Sequence, residues 1–370
     1  MSHFREQFPA LGAKAWLKTP SVGPAAVPVL AALRAAVDGW EQGELDLRTW
    51  DPEAQETRAL FARILGADAS QIALTTSVSQ AAAAVAALVP RGRVVVGENE
   101  YRSNLFPWLA LRERGFTVTE VPMPEHVLRT QGIVDAIGDD TVLVAVSDVQ
   151  SASGSRVDLV AIGDRCRHVG ARLFVDATQS LGVLRFPLRE AAPDYVVAHG
   201  YKWLLAPRGA AWLYVRESPE NQMPLAPSWR SVAEPFASLS GGPLELASDA
   251  NRMDASLAWP TWPGARAALE LILSLDGPAV ESRALELSRC FARRLAGIGL
   301  EPADGDLQSH IVSCVVPDGD GLLELLTAEG VLVTVRAGRL RVGFHAFNDE
   351  TDVDRCLQAV AEAACTSATP

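Results

Sequence analysis

The sequence predicts an α/β protein, a mostly parallel seven-stranded sheet with helices on both faces, followed by a small α+β domain. Three observations carry this. Through the first two thirds of the chain, short β-branched runs alternate with longer helical patterns, the signature of strand–helix–strand units. A Pro- and Trp-rich stretch, Trp259-Pro-Thr-Trp-Pro263, then breaks the alternation, and long helical segments follow it. The 370 residues, 48% hydrophobic and 21% charged, are too many for one ordinary core and too apolar for disorder.

The seven strands are expected at Gln71–Thr75, Arg93–Gly97, Thr117–Val121, Thr141–Ser147, Arg172–Asp176, Tyr195–Ala198 and Ala211–Val215. Between them Gln80–Leu88, Leu105–Arg114 and Leu159–Val169 have helical spacing or helix-forming composition, with small polar residues opening the first and third. After the break come helices Ala265–Leu275 and Ala279–Ile298. The remainder reads as strand Gln308–Val316, helix Gly321–Glu329, strands Leu332–Arg336 and Arg339–Phe344, and a final helix Asp349–Ala364. That βαββα unit is the small domain, and the division is placed at 263/264.

Composition excludes several functions. With 45 acidic against 33 basic side chains the formal net charge is −12, a field that repels a phosphate backbone. The longest apolar run, Ala81 to Val89, falls far short of the ~20 residues of a membrane span. The amino-terminal stretch lacks an apolar signal core, so a soluble, unprocessed protein is expected. Five cysteines (Cys166, Cys290, Cys314, Cys356, Cys365) are an odd number without CxxC spacing, which argues against disulfides and zinc and for a reducing cytoplasm. The six histidines make no ligand spacing, and neither a P-loop nor a GxGxxG after a strand is present.

The chemistry concentrates at two strand ends. Leu173-Phe-Val-Asp-Ala-Thr-Gln179 is an apolar strand ending in Asp176, and Lys202 follows in His199-Gly-Tyr-Lys-Trp-Leu-Leu-Ala-Pro-Arg-Gly209. Ligands of open α/β sheets bind outside the carboxyl ends of the strands, so an acid and a lysine face one crevice. Taken singly, each residue has a plainer role: a solvated lysine, an aspartate capping a turn, a serine N-cap.

Together with Glu100-Tyr-Arg-Ser-Asn-Leu-Phe-Pro-Trp108, Val146-Ser-Asp-Val-Gln150 and Arg339-Leu-Arg-Val-Gly-Phe-His-Ala-Phe-Asn348, these segments resemble, in family order, the class V aminotransferase family of pyridoxal phosphate enzymes, of fold-type I. The resemblance implies a large cofactor domain over 18–263, a small domain over 264–370, and an N-terminal segment over 1–17 packed on the small one. It implies pyridoxal 5'-phosphate as cofactor, an L-amino acid and a keto acid as small-molecule partners, and a homodimer.

By the same resemblance Lys202 forms the Schiff base and shuttles the Cα proton, which needs a neutral amine. Asp176 pairs with the pyridine nitrogen, and Gln179 with the ring hydroxyl oxygen. Tyr101 stacks on the ring. Ser77, Val78 and Ser79 offer donors at a helix N-terminus to the phosphate, with Gln80 in the usual Glu place. His199 and Tyr201 flank the phosphate, where Ser and His are commoner. Asp148 lies near the ring oxygen, where it either faces substrate or stays protonated. Arg341 grips the substrate carboxylate through its planar fork, and Arg336 reads the side chain. A partner loop that completes the phosphate site in related dimers corresponds to Arg252-Met-Asp-Ala-Ser256, where the usual Gly-Thr has become Ser256-Leu257.

Cysteine desulfurases need a thiolate on the loop before that arginine. Here the loop is Val335-Arg-Ala-Gly-Arg339, without cysteine, so that chemistry is disfavoured. An aminotransferase is expected, with an ergothioneine-pathway type C–S lyase as the alternative and an isopenicillin N epimerase-like activity third. A catalytically silent protein on the same fold is the non-enzyme alternative.

Overall fold

The structure, a computed structural model, describes residues 2–44, 46–217, 223–306 and 308–367. Residues 1, 45, 218–222, 307 and 368–370, which the expected domain spans include, lie outside the described residues.

In chain order the strands are β1 (Ala15–Trp16), β2 (Ile72–Thr75), β3 (Arg93–Gly97), β4 (Thr117–Val121), β5 (Thr141–Ser147), β6 (Arg172–Asp176), β7 (Tyr195–His199), β8 (Ala211–Val215), β9 (Ile311–Val315), β10 (Val331–Leu332), β11 (Thr334–Arg336) and β12 (Arg339–Gly343). The large sheet has the order β2-β8-β7-β6-β5-β3-β4. β8 runs antiparallel to both neighbours and every other pairing is parallel. All seven strands lie where the sequence places them, to within a residue. Their Val, Leu, Ile and Ala content is buried on both faces, as parallel sheets under two helical layers require.

One face packs helices Val78–Leu88 and Arg102–Leu109 through Val85, Trp108 and Phe174. The other packs Leu47–Leu65, Thr130–Ala136, Leu159–Val169 and Thr261–Leu273 through Phe61, Ile133, Ile162 and Leu269. Helices Val27–Glu41 and Leu47–Leu65 precede the first strand of the large sheet, outside the strand–helix–strand alternation, and the sequence reading does not anticipate them. The division expected at 263/264 falls inside Thr261–Leu273, a helix that packs against those two.

The carboxyl ends of β2, β3, β5, β6 and β7 share one edge of the sheet, because β8 reverses direction between β7 and β2. After β4 the chain returns to the other side of β3, and from β5 the order runs the opposite way. That reversal opens a crevice where loops leave β3 and β5 on opposite sides.

The small domain places β9, β12 and β11 in an antiparallel sheet. The single strand expected over Leu332–Arg336 is two: Val331 and Leu332 pair in parallel with Ala15 and Trp16, and Thr334–Arg336 pairs with β12. The N-terminal segment is fastened to this domain by Arg5, which donates to Phe347 O and to Asp352 at 2.8 and 3.0 Å, and by Phe4 and Phe8 against Phe347.

Candidate active site

Asp176 and Ser147 are paired residues at the ends of β6 and β5, so both reach the crevice. Asp176 is buried and accepts a hydrogen bond from Thr178 N at 2.9 Å. Burial raises its pKa, against the Thr178 hydrogen bonds and the charge of Lys202. A buried carboxylate with one local donor and a cation nearby is the right partner for a protonated ring nitrogen.

Lys202 follows β7 and is 4% exposed. Its Nζ lies 5.1 Å from the Tyr101 ring centroid and 5.6 Å from that of Tyr201. Burial lowers its pKa to about 7, helped by Arg341 and Arg208 and opposed by Asp176. The site thus prepares the neutral amine that a carbonyl-attacking lysine needs. Gly23 closes over this loop: its N–H donates to Tyr201 O, and a Cβ at Gly23 would stand 2.5 Å from Lys202 O.

Arg341 lies on β12 and enters from the small domain. It donates to Ser151 O and Ser151 Oγ, and its other nitrogen donates to Ser21 Oγ at 2.6 Å. None of these partners is charged. Burial lowers its pKa to about 10, opposed by Tyr101 and helped by Arg336. Strand alternation separates its neighbours: Leu340 and Val342 are buried, while Arg339 shares the Arg341 face and is spent on Glu125. Arg341 does not itself line the cavity around Lys202 and Asp176, but its partner Ser151 does, and no acid is among its hydrogen-bond partners.

The remaining residues vary. Ser77 caps the helix Val78–Leu88, accepting from Gln80 N at 3.2 Å, and Gln80 Oε1 gathers Thr75 Oγ1, Thr76 N and Thr76 Oγ1. Ser77, Val78, Ser79, Tyr101, His199 and Tyr201 line the cavity with Asp176 and Lys202. Gln179 also lines it, but its amide is committed: Oε1 accepts from Trp203 Nε1 at 2.7 Å, and Nε2 donates to Pro20 O and Ser151 Oγ at 3.0 Å each. Its placement makes it a strut between three loops.

Asp148 is a correction. One residue past Ser147 the backbone alternation turns it away from the crevice, to Arg156 at 3.4 Å, and burial raises its pKa. Arg336 is exposed on the hairpin opposite Arg339 and does not line the cavity.

Sequence reasoning passed over four residues that the fold brings in. Glu100 is buried and accepts from Ser147 N, Ser147 Oγ and Gln150 Nε2 at 2.5 to 2.8 Å, tying the β3 and β5 loops together. Ser151 bridges Gln179 and Arg341, and Ser21 seats Arg341. Arg208 lines the cavity beside Tyr201. Its signal was its place in the Lys202–Gly209 run.

The residues fit pyridoxal 5'-phosphate. Asp176 suits the ring nitrogen, Lys202 the aldehyde, and Tyr101 the ring face. The N-terminus of the helix Val78–Leu88, capped by Ser77, suits the phosphate. Among the described residues no cluster of His, Cys, Asp or Glu is arranged to hold a metal, and no helix is long and apolar enough to cross a membrane.

Comparison with known proteins agrees with this. The Aminotransferase class-V family model matches residues 48–356. The chain is 26% identical over 365 residues to an uncharacterized aminotransferase, YcbU, of Bacillus subtilis (strain 168), covering 97% of this chain and 96% of the relative. It is 32% identical over 229 residues to a probable cysteine desulfurase of Methanothermobacter thermautotrophicus, covering 59% and 57%. The structure of the cystine C–S lyase C-DES with its product cysteine persulfide superposes with a TM-score of 0.85 at 20% identity, over 96% of this chain and 99% of that one. Cysteine desulfurases therefore stand among the relatives, and these comparisons do not uphold setting their chemistry aside. The matched family model, the fold and the lysine–aspartate crevice together place the chain in the class V aminotransferase family of pyridoxal 5'-phosphate enzymes.

Proposed function

We propose that the protein is a homodimeric aminotransferase for an L-amino acid. The observation that carries this reading is that Lys202, drawn toward neutrality, and Asp176 line one crevice, with Arg341, whose partners are all uncharged, joined to its wall through Ser151. The bound cofactor supplies an electron sink for a carbanion at the substrate Cα. Arg341 binds the α-carboxylate and so fixes which face of Cα meets Lys202. The neutral Lys202 amine takes the Cα proton, and Asp176 holds a proton on the cofactor ring nitrogen.

A second reading is β-elimination of a sulfur-bearing amino acid. It is supported by the likeness to a cystine C–S lyase and by the cleft lining, which among the described residues includes no cysteine. Cys314 sits in β9 with burial pushing its thiol up to about 12, and Cys356 is buried in the last helix with its thiol raised likewise. An elimination needs no protein thiol, whereas persulfide transfer does.

The test is a panel of L-amino acids incubated with the holoenzyme, with and without a keto-acid acceptor. Keto acid formed only with acceptor supports the aminotransferase. Ammonia released without acceptor replaces it with the lyase, and protein-bound persulfide from L-cysteine, lost on one Cys→Ser change, replaces it with a desulfurase. Inversion at Cα alone points to an epimerase. Lys202→Ala is expected to lose the visible band of the lysine-bound cofactor and turnover together; a wild type that stays colourless with added pyridoxal phosphate defeats the enzyme reading.

A further inference from the structure

Arg208 occupies the turn between β7 and β8. In the sheet His199 stands opposite Ala211, and Ala211 opposite Thr75. The start of β8 is therefore held between the ends of β7 and β2, and Arg208, just before it, lies at the corner where Thr76–Ser79 opens the eleven-residue helix Val78–Leu88. Its guanidinium carbon is 4.9 Å from the Tyr201 ring centroid. Arg208 is exposed at the rim of the cavity it lines, and among the described residues no carboxylate lies within ion-pair distance of it and no acceptor receives its guanidinium hydrogens. A cation in a chain of net charge −12 that finds no acid is available to an outside anion.

A second observation points to the same corner. His199 is 8% exposed, lines the cavity, and its Nδ1 is buried without a hydrogen-bond partner. Burial lowers its pKa to about 4, helped by Lys202 and Arg208 and opposed by a hydrogen bond to the Ala210 backbone, so the ring is neutral near pH 7 and contributes no charge. Lys202 is reserved for the aldehyde. A phosphate seated here meets uncharged donors from Ser77, Val78 and Ser79, and its charge calls for a cation.

We propose that Arg208 binds the phosphate of the cofactor, so that this chain supplies the positive charge of its own phosphate site. This inference rests on the cofactor reading above. It adds the Pro-Arg-Gly turn to the residues to which the sequence reading gave the phosphate, Ser77, Val78, Ser79, His199, Tyr201 and a partner loop. Tyr201 becomes the platform that holds the guanidinium through its ring face.

The experiment uses full-length protein stripped of cofactor and then titrated with pyridoxal 5'-phosphate and, separately, with pyridoxal, which lacks the phosphate. Binding is read from the visible band and from tryptophan quenching, for wild type, Arg208→Ala and Arg208→Lys. Loss of a charge-assisted contact is expected to weaken pyridoxal phosphate by about 10- to 100-fold in Arg208→Ala, with pyridoxal unchanged within about twofold and Arg208→Lys recovering part of the loss. Equal losses for both ligands, or no loss for either, overturn the proposal, the first because Arg208 would then only brace Tyr201. Should Arg208→Ala not fold, the same ratio is read from Arg208→Lys against Arg208→Gln. A wild type that binds neither ligand sinks the cofactor reading itself, a result distinct from failure of the Arg208 assignment alone.

Discussion

Arg341 helps to set the behaviour of Lys202. Burial is the larger cause of the lowered lysine pKa and the Arg341 charge is next, so the arginine that would receive a carboxylate also keeps the lysine nucleophilic. The neutral amine attacks the aldehyde, so cofactor attachment to stripped enzyme should speed up as pH rises through about 7 and then level off. Arg341→Leu removes a like charge, which should move that midpoint upward. It should also raise KM for the amino acid by about 100-fold, consistent with about 3 kcal/mol for a charged hydrogen-bonding partner. Stopped-flow absorbance over a pH series checks the first, steady-state kinetics the second. At this scale Asp176 and Lys202 were legible only together and with the motifs around them, since each alone has a plainer role. Asp148 was not: it differs from Ser147 by one step of the pleat, and which of the two faces the crevice depends on strand pairing. Gln179 shows the same limit, since an amide's partners come from three separate loops.

At the scale of elements, the sheet is locked to the segment after it by a buried charge network. Asp254 accepts from Arg58 at 2.7 and 3.2 Å and from Leu74 N at 2.8 Å, and it lies 3.6 Å from Arg230, which also pairs with Asp51. These side chains are all under 8% exposed. Asp254→Ala leaves the buried Arg58 guanidinium without its carboxylate, takes from Arg230 one of its two acids, and leaves the β2 amide of Leu74 without its acceptor. It should cost about 3 to 5 kcal/mol, read from the urea midpoint, whereas Glu270→Ala, at the exposed Arg266 pair, should cost under about 1 kcal/mol. Similar losses for both would defeat this account. The sequence reading treated Arg252–Ser256 as a loop for a neighbouring subunit. Its intrachain anchoring was invisible there, because Arg58, Arg230 and Asp254 are far apart in the chain.

Across the whole molecule, buried neutral histidines join the two domains. His345, in the small domain, donates from Nε2 to Trp203 O at 2.9 Å and accepts from Ala346 N at Nδ1, so both ring nitrogens are used in the neutral form. Burial lowers its pKa to about 4, opposed by the Trp203 hydrogen bond. His310, 4.0 Å from the Trp203 ring by centroids, is held well below 6.5 by burial, helped by His345 and Arg156. In the unfolded chain these rings take up protons near 6.5 and in the folded chain they do not, so stability falls as pH falls from about 6.5 toward 4, by about 1.4 kcal/mol per pH unit for each ring. Buried Glu100, Asp148 and Asp176, whose pKa values are raised, act in the opposite direction in the same range. The comparison is therefore between wild type and His345→Gln: the variant should lose less stability between pH 7 and pH 5 in urea titrations, and parallel profiles would refute the assignment.

The strand and helix periods, the −12 charge and the motifs at two strand ends determined from sequence alone a parallel α/β sheet, a lysine–aspartate crevice and a family. Those features depend on residues close together in the chain, where periodicity and local chemistry act. Tertiary structure alone decided that the N-terminal segment seats Arg341 through Ser21, that Gln179 is a strut, that Asp148 faces Arg156, and that Arg208 stands unpaired at a helix N-terminus. Each of those outcomes rests on which distant segments meet, and contacts between distant segments are set by how the layers pack.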